Sequence, residues 1–173
     1  KKNQIACRPE IKLDIWKVSG SYWKLFKEHY YLDLPHPPAA EYFVGTINGE
    51  LVCHVAVCPM FTAKAYRATR LVTMPEWQGA GVGTRFLNEI MQYHLNGNGR
   101  KGYKYPTFFH TSHPQLAGYL RFNDKWIQTN AILFGANKSR SNASLTKTGK
   151  GTITGCGYGG HFRAIQSFKY LGN

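Results

Sequence analysis

Apolar and polar side chains alternate at the start of the chain: Ile11, Leu13 and Ile15 interleave with Lys12, Asp14 and Lys17, the period of a half-buried strand. Ser19 or Ser21 can cap a helix that follows, in which Tyr22, Leu25, Phe26 and the pair His29 and Tyr30 recur at helical spacing. Leu34-Pro35-His36-Pro37-Pro38 ends it as a stiff connector, because proline fixes φ and supplies no amide donor. Two β-rich runs, 41–47 and 50–57, flank Asn48-Gly49, the strongest two-residue hairpin signal, and residues 66–74 form a further strand. A helix over 81–95 carries Phe86, Leu87, Ile90, Met91 and Leu95 on one face and stops at Asn96-Gly97-Asn98-Gly99. Residues 107–111 read as a strand and 112–122 as a short helix, with Ser112 as its cap and Pro114 in its first turn. Strands over 125–134 and 161–171 enclose a long segment, 135–160, rich in Gly, Ser, Thr, Lys and Asn.

The stretch from Arg70 to Leu87 carries the most chemistry. A short apolar strand meets Pro75 and then Gln78-Gly79-Ala80-Gly81-Val82-Gly83-Thr84, a glycine-rich turn that opens the amphipathic helix. Glycines there admit positive φ and let a ligand approach the backbone. Amides at a helix start lack intrahelical partners and sit at the positive end of the helix dipole, which suits phosphate. A nucleotide-triphosphate loop is excluded, because no Gly-Lys-Ser/Thr ending is present. The dinucleotide fingerprint is excluded by the glycine spacing and by the absence of an acidic residue about 20 positions on.

Gln78-x-x-Gly81-x-Gly83, preceded by Leu-Val-x-x-Pro and followed by an apolar helix, resembles the acetyl-coenzyme A signature of the GCN5-related N-acetyltransferases, the GNAT superfamily. The order β-α-β-β-β-α-β-α-β-β is that of its sheet, with one helix where the family often has two. The resemblance implies a single α/β domain spanning the chain, with a mixed, mainly antiparallel central sheet flanked by helices. It also implies acetyl-coenzyme A as cofactor. The strand backbone at Val72, Thr73 and Met74 would meet the pantetheine arm, and the amides of Gln78, Gly79, Ala80, Gly81, Val82, Gly83 and Thr84 would cradle the pyrophosphate. Ser112 stands where the family often has a cofactor-contacting Asn, and Tyr119 falls seven residues on, at the place of the tyrosine that protonates the departing thiolate. Tyr119 is either that acid or a helix tyrosine packed on the sheet.

Direct attack of an amine on a thioester needs a neutral amine, orientation and an oxyanion site, and a base helps. His29 is the first candidate base, since histidine changes charge nearest neutral pH; His54 and Glu41 are the others. Arg67 and Arg70, on the strand leading into the motif, either hold an anionic acceptor or face solvent.

Composition adds a partner class. In 173 residues, 22 Lys and Arg stand against 9 Asp and Glu, a formal charge of +13. Beyond Asp124 come Lys125, Lys138, Arg140, Lys147, Lys150, Arg163 and Lys169 with no carboxylate, a one-signed region that attracts polyanions. Lys138, Arg140, Lys147 and Lys150 are therefore candidate contacts to nucleic acid, with Tyr158, Phe162 or Tyr170 able to stack on bases and Phe168 read as strand core. No run of 18 apolar residues suggests a membrane span, and the N-terminus lacks the apolar region of a signal peptide. Cys7, Cys53, Cys58 and Cys156 have neither disulfide-framework nor zinc spacing, which points to reduced thiols and a cytoplasmic protein; His110-x-x-His113 lacks further ligands, so no metal is expected.

Phe26-x-x-His29-Tyr30, Thr111-Ser112-His113-Pro114 and the terminal Ser167-Phe168-Lys169-Tyr170-Leu171-Gly172 are similar to a group of small acetyltransferase-fold proteins of phages and mobile elements. Some of these are fused to ABC-type ATPase modules, and others are implicated in DNA base hypermodification, with a more distant likeness to Mom-type proteins. That second resemblance implies transfer of an acyl group to an amine on modified DNA. An acetyltransferase for a protein, tRNA-linked or small-molecule amine, and a non-catalytic nucleic-acid module on the same fold, are the rivals. Oligomeric state is left open.

Overall fold

The computed structural model describes residues 10–31, 36, 37, 39–132 and 164–173. In chain order the elements are β1 (Asp14–Val18), α1 (Trp23–Phe26), β2 (Glu41–Ile47), β3 (Glu50–Met60), β4 (Ala65–Thr73), α2 (Val82–Leu95), β5 (Thr107–Thr111), α3 (Pro114–Phe122), β6 (Trp126–Ile132) and β7 (Ile165–Tyr170). The strands form one seven-stranded sheet in the order β1-β2-β3-β4-β5-β7-β6. Only β4 and β5 run parallel. The architecture is the expected mixed, mainly antiparallel sheet flanked by helices in one α/β domain.

Local chemistry accounts for the hairpin between β2 and β3. Asn48 and Gly49 take φ of 51° and 82°, the two positive values a tight primed turn requires. The strand period of two then sorts side chains onto opposite faces. Val44, His54 and Val72 are register partners in one row across β2, β3 and β4. That row meets Trp23 and Phe26 of α1. Phe43 and Val55, one residue out of phase, join Phe86, Leu87, Ile90 and Met91 of α2 in the main core. Ala117 and Leu120 of α3 extend that core over Phe109, Trp126, Phe168 and Tyr170.

Two sequence expectations change. The α1 helix is a single turn with 3-10 turns on either side, Gly20–Tyr22 and Lys27–His29, and it buries Trp23 and Phe26 while Tyr22 and Leu25 stay exposed. One turn can present only an i, i+3 pair to the sheet, and the bulkiest pair takes that place. Neither serine caps it by its side chain; the Ser19 and Ser21 hydroxyls bond each other. The α3 helix is capped by His113, whose Nδ1 accepts from the Leu116 amide at 3.3 Å, and not by Ser112. Because β5 holds Thr111, whose Oγ1 accepts from the His113 amide, Ser112 falls one residue short of the cap position.

At the end of the sheet where β2 begins, Glu41 is buried and accepts from Lys17 Nζ and from the Arg100 amide at 2.9 Å, with His94 Nε2 at 3.1 Å. Burial alone would raise its pKa, but Lys17 and the Arg100 amide together hold the carboxyl below its ordinary value. Glu41 is thus a structural carboxylate that ties β2, α2 and the segment before β5 together. No helix among the described residues is long and apolar enough to cross a membrane.

Candidate active site

β4 and β5 pair only at Tyr66 with Thr107, Arg67 with Phe108 and Ala68 with Phe109. Beyond Ala68 the two strands diverge. The register of β3 against β4 jumps between His54 and Ala56, so Arg70 and Leu71 together face Val55 alone. This is a β-bulge, and Arg70 sits in it at a φ of 56°, a left-handed conformation costing a non-glycine residue about 1–2 kcal/mol. A buried histidine braces the strained peptide: His54 Nδ1 donates to the Arg70 carbonyl at 3.0 Å. Its ring lies 5.2 Å from both Trp23 and Phe26 and 6.1 Å from Tyr42. Burial pushes the His54 pKa down to about 4, so the ring is neutral. His54 therefore serves the bulge and is closed to an acceptor.

The Arg70 guanidinium lies 6.0 Å from the Trp23 ring and 5.7 Å from the Tyr30 ring, and donates to Thr69 Oγ1 at 3.1 Å. Arg67 pairs with Cys58 on the same face, and the Cys58 thiol reports both cations: burial raises its pKa, and Arg67 and Arg70 pull it back. Trp23, Tyr30, Arg67 and Arg70 thus surround the α1 side of the place where β4 leaves β5.

Beyond β4 the chain makes a 3-10 turn, Pro75–Trp77, and then the glycine turn. Gln78 Nε2 donates to the Thr73 carbonyl at 3.0 Å, pinning the turn to the strand. Gly79 and Gly81 take φ of 81° and 78°, and an added Cβ at either would meet nothing within 4 Å, so the turn faces open space. Gly83 is different. A Cβ there would lie 2.2 Å from Thr73 Oγ1, so α2 rests on β4 more closely than any side chain allows. Gly81 is the N-cap of α2, with no side-chain cap; the Arg85 amide donates to the Gly81 carbonyl at 3.2 Å and Thr84 Oγ1 donates to it at 2.9 Å. The amides ahead of Arg85 point out of the helix end, where the helix dipole adds positive potential. Uncapped amides, open glycines and a strand edge unpaired among the described residues together fit a pyrophosphate with a peptide-like arm.

The profile of the Acetyltransferase (GNAT) family matches residues 10–105, more than half of the chain. The chain belongs to the GNAT acetyltransferase family. It is an acetyl-CoA-dependent N-acetyltransferase. Among solved structures, a chimera of the spermidine N-acetyltransferase SpeG from Vibrio cholerae and hSSAT is 11% identical with a TM-score of 0.61, covering 92% of this chain and 95% of that one. A protein of Bacillus anthracis str. Ames named for streptothricin acetylation, solved with acetyl coenzyme A, is 10% identical with a TM-score of 0.55, covering 94% and 100%. The ribosomal-protein-alanine N-acetyltransferase of Escherichia coli is 10% identical with a TM-score of 0.57, covering 94% and 96%. These likenesses show the fold. No curated protein sequence matches the chain.

On this acetyltransferase the expected cofactor residues, Val72 to Met74 and Gln78 to Thr84, form one continuous path from the end of β4 to the first turn of α2. The Met74 amide points back to β3, donating to the Val52 carbonyl at 2.9 Å. The Thr73 carbonyl lies on the other edge, where Gln78 reaches it. Ser112 is half-buried between β5 and α3. Tyr119 lies on α3, 42% exposed, and its hydroxyl oxygen accepts from Asn123 Nδ2 at 2.8 Å. His29 ends the turn after α1, next to Tyr30, with its Nε2 3.4 Å from Glu28 Oε1. Lys138, Arg140, Lys147 and Lys150, with Tyr158 and Phe162, lie outside the described residues. The Arg70 bulge and its His54 brace had no sequence signal, and the i, i+3 pair Trp23 and Phe26 gave the one hint of the rings that meet His54.

Gly81→Ala imposes only backbone strain of about 1 kcal/mol and should bind acetyl-CoA within several-fold of wild type. Gly81→Glu adds a carboxylate before the open amides and should weaken binding at least a hundredfold by calorimetry. Equal affinities for the two variants would place the pyrophosphate elsewhere.

His54 also predicts an acid sensitivity. Unfolded histidine takes its proton near the ordinary 6.5 and the folded ring only near 4, so between these values the unfolded state binds more protons and stability falls as pH falls. Urea unfolding should show wild type losing up to about 3 kcal/mol more than His54→Gln across that window, the loss shared by both coming from the other depressed histidines, His94 and His110. His54→Gln keeps a donor for the bulge; parallel pH profiles would show that His54 is not neutral in the fold.

Proposed function

We propose that the amine acetylated by this enzyme is carried on nucleic acid, modified DNA foremost. The observation that carries this reading is the sign of the charge. Arg67 and Arg70 flank the cleft, residues 51–75 contain no Asp or Glu, and the whole chain stands at +13. Such a field repels a free polyamine and attracts an amine borne on a polyanion.

Bound acetyl-CoA supplies an acetyl thioester, and the amides from Gly79 to Thr84 with the free edge of β4 are the groups that would hold it. The remaining work falls to side chains. Asn123 donates to the Tyr119 hydroxyl oxygen, which leaves the phenolic hydrogen free to be given to a departing sulfur. His29 Nε2, at the end of the turn after α1, takes a proton from the incoming ammonium or from water beside it. Arg67 and Arg70 hold the acceptor's anionic backbone near the bulge, so that the amine is oriented before attack.

Labelled acetyl-CoA should transfer its acetyl group to duplex DNA bearing aminoalkyl bases in preference to spermidine or a lysine peptide. Transfer should fall steeply between 50 and 200 mM salt, as phosphate contacts require. Label confined to peptide or spermidine would overturn the nucleic-acid reading and leave the acetyltransferase in place. In the same assay Tyr119→Phe should lower kcat by roughly a hundredfold with acetyl-CoA affinity unchanged. An unaltered kcat would assign the proton to another donor.

A further inference from the structure

Three tyrosine rings climb out of the core at the end of the sheet opposite the glycine turn. Tyr66, at the start of β4, is buried, and its ring lies 5.7 Å from that of Tyr105. The Tyr105 ring stacks on Tyr103 at 5.0 Å with planes 22° apart, and Tyr103 is 44% exposed. The ladder therefore ends on a ring exposed to solvent. Its base is anchored, since the Tyr66 hydroxyl donates to the Arg100 carbonyl at 3.0 Å. Phe61, 65% exposed, lines the same shallow apolar cleft from the turn after β3.

The charges around these rings have one sign. Arg100 and Lys101 are exposed and line the same cleft, and Lys104, between the two stacked tyrosines in the chain, is exposed as well. Neither segment meeting here contributes a carboxylate: residues 51–75 and 90–123 contain no Asp or Glu. Glu41 lies beneath, but it is buried and already engaged by Lys17, His94 and the Arg100 amide. Monomeric proteins do not ordinarily leave large aromatic faces in water beside a row of cations, and that combination is the one that grips unpaired bases through their faces and phosphates through their charge.

We infer that this face is a docking surface for single-stranded nucleic acid. An unpaired base continues the Tyr66-Tyr105-Tyr103 ladder, a neighbouring base meets Phe61, and the phosphates follow Arg100, Lys101 and Lys104. A duplex keeps its base faces inside its own stack, and an acidic peptide offers charge without ring planes. The surface lies roughly 25 Å from the glycine turn, the length of β4, so a strand held here does not compete with the coenzyme. The inference deepens the nucleic-acid reading above and rests on it for its role, while its test is independent of catalysis.

Fluorescence anisotropy with a labelled twelve-nucleotide oligothymidylate, without acetyl-CoA, tests the surface across a salt series. Wild type should bind, Tyr103→Leu should weaken binding at least fivefold at constant salt slope, and Tyr103→Phe should bind as wild type. Lys101→Gln with Lys104→Gln should flatten the log–log salt slope by about 1.4, two single-strand phosphate contacts. All variants should keep acetyl-CoA affinity, which shows that they are folded. Tyr103→Leu binding like wild type, or polyglutamate of equal charge displacing the oligonucleotide as well as unlabelled strand does, overturns the inference. Oligonucleotide binding that depends on Tyr103 without acetyl transfer to DNA would instead sustain the surface and sink the proposed acceptor.

Discussion

The bulge at Arg70 is the constraint on which the active site depends. In a regular sheet β4 would continue its parallel pairing with β5, and its edge from Thr69 to Thr73 would be filled by a neighbour's backbone. One residue inserted against β3, turned left-handed at Arg70, bends β4 away and leaves that edge unpaired among the described residues. Such a conformation persists only where its surroundings hold it. Here the surroundings are a neutral, buried imidazole donating to the strained carbonyl and three aromatic rings that keep water from that bond. The α1 turn, short as it is, exists to bring Trp23 and Phe26 to this place.

The same divergence sets the anion site. The helix that follows β4 starts beside the wedge because Gly83 lets it rest on Thr73, and its uncapped first turn points outward. Positive potential there comes from backbone dipoles, which neither titrate nor need a lysine. Of the side-chain cations, Arg85 is exposed on the first turn of α2, Arg67 and Arg70 stand at the α1 side of the wedge, and Arg100 and Lys101 line the cleft at the far end of the sheet. At the far end the nearby carboxylate, Glu41, is buried and paired with Lys17, so it does not offset the exposed cations there.

Much of this was legible in the chain. Asn48-Gly49 between two β-rich runs specifies a hairpin by turn geometry alone, and the apolar stripe of α2 specifies its buried face by period alone. The glycines at 79, 81 and 83 signalled a candidate anion site because glycine takes positive φ there without strain at two positions and admits close contact with Thr73 at the third. The helix after β1 was read on the wrong face because a single turn offers too few residues for its period to be measured. The cap of α3 was read one residue early because the end of a strand is set by its pairing partner, which here is Gln166 opposite Thr111.

Local sequence by itself determined the elements, the glycine turn and the sign of the charge, since each follows from residues within a few positions of one another or from a sum over the chain. Only the tertiary structure decided that His54 braces a strained peptide, that β4 parts from β5 after Ala68, and that Tyr66, Tyr105 and Tyr103 form one ladder. Those facts join residues distant along the chain or depend on strand register, and a period-two pattern cannot say where one extra residue will be inserted. The insertion is settled by which of the possible packings buries Trp23, Phe26 and His54 together, a property of the assembled sheet.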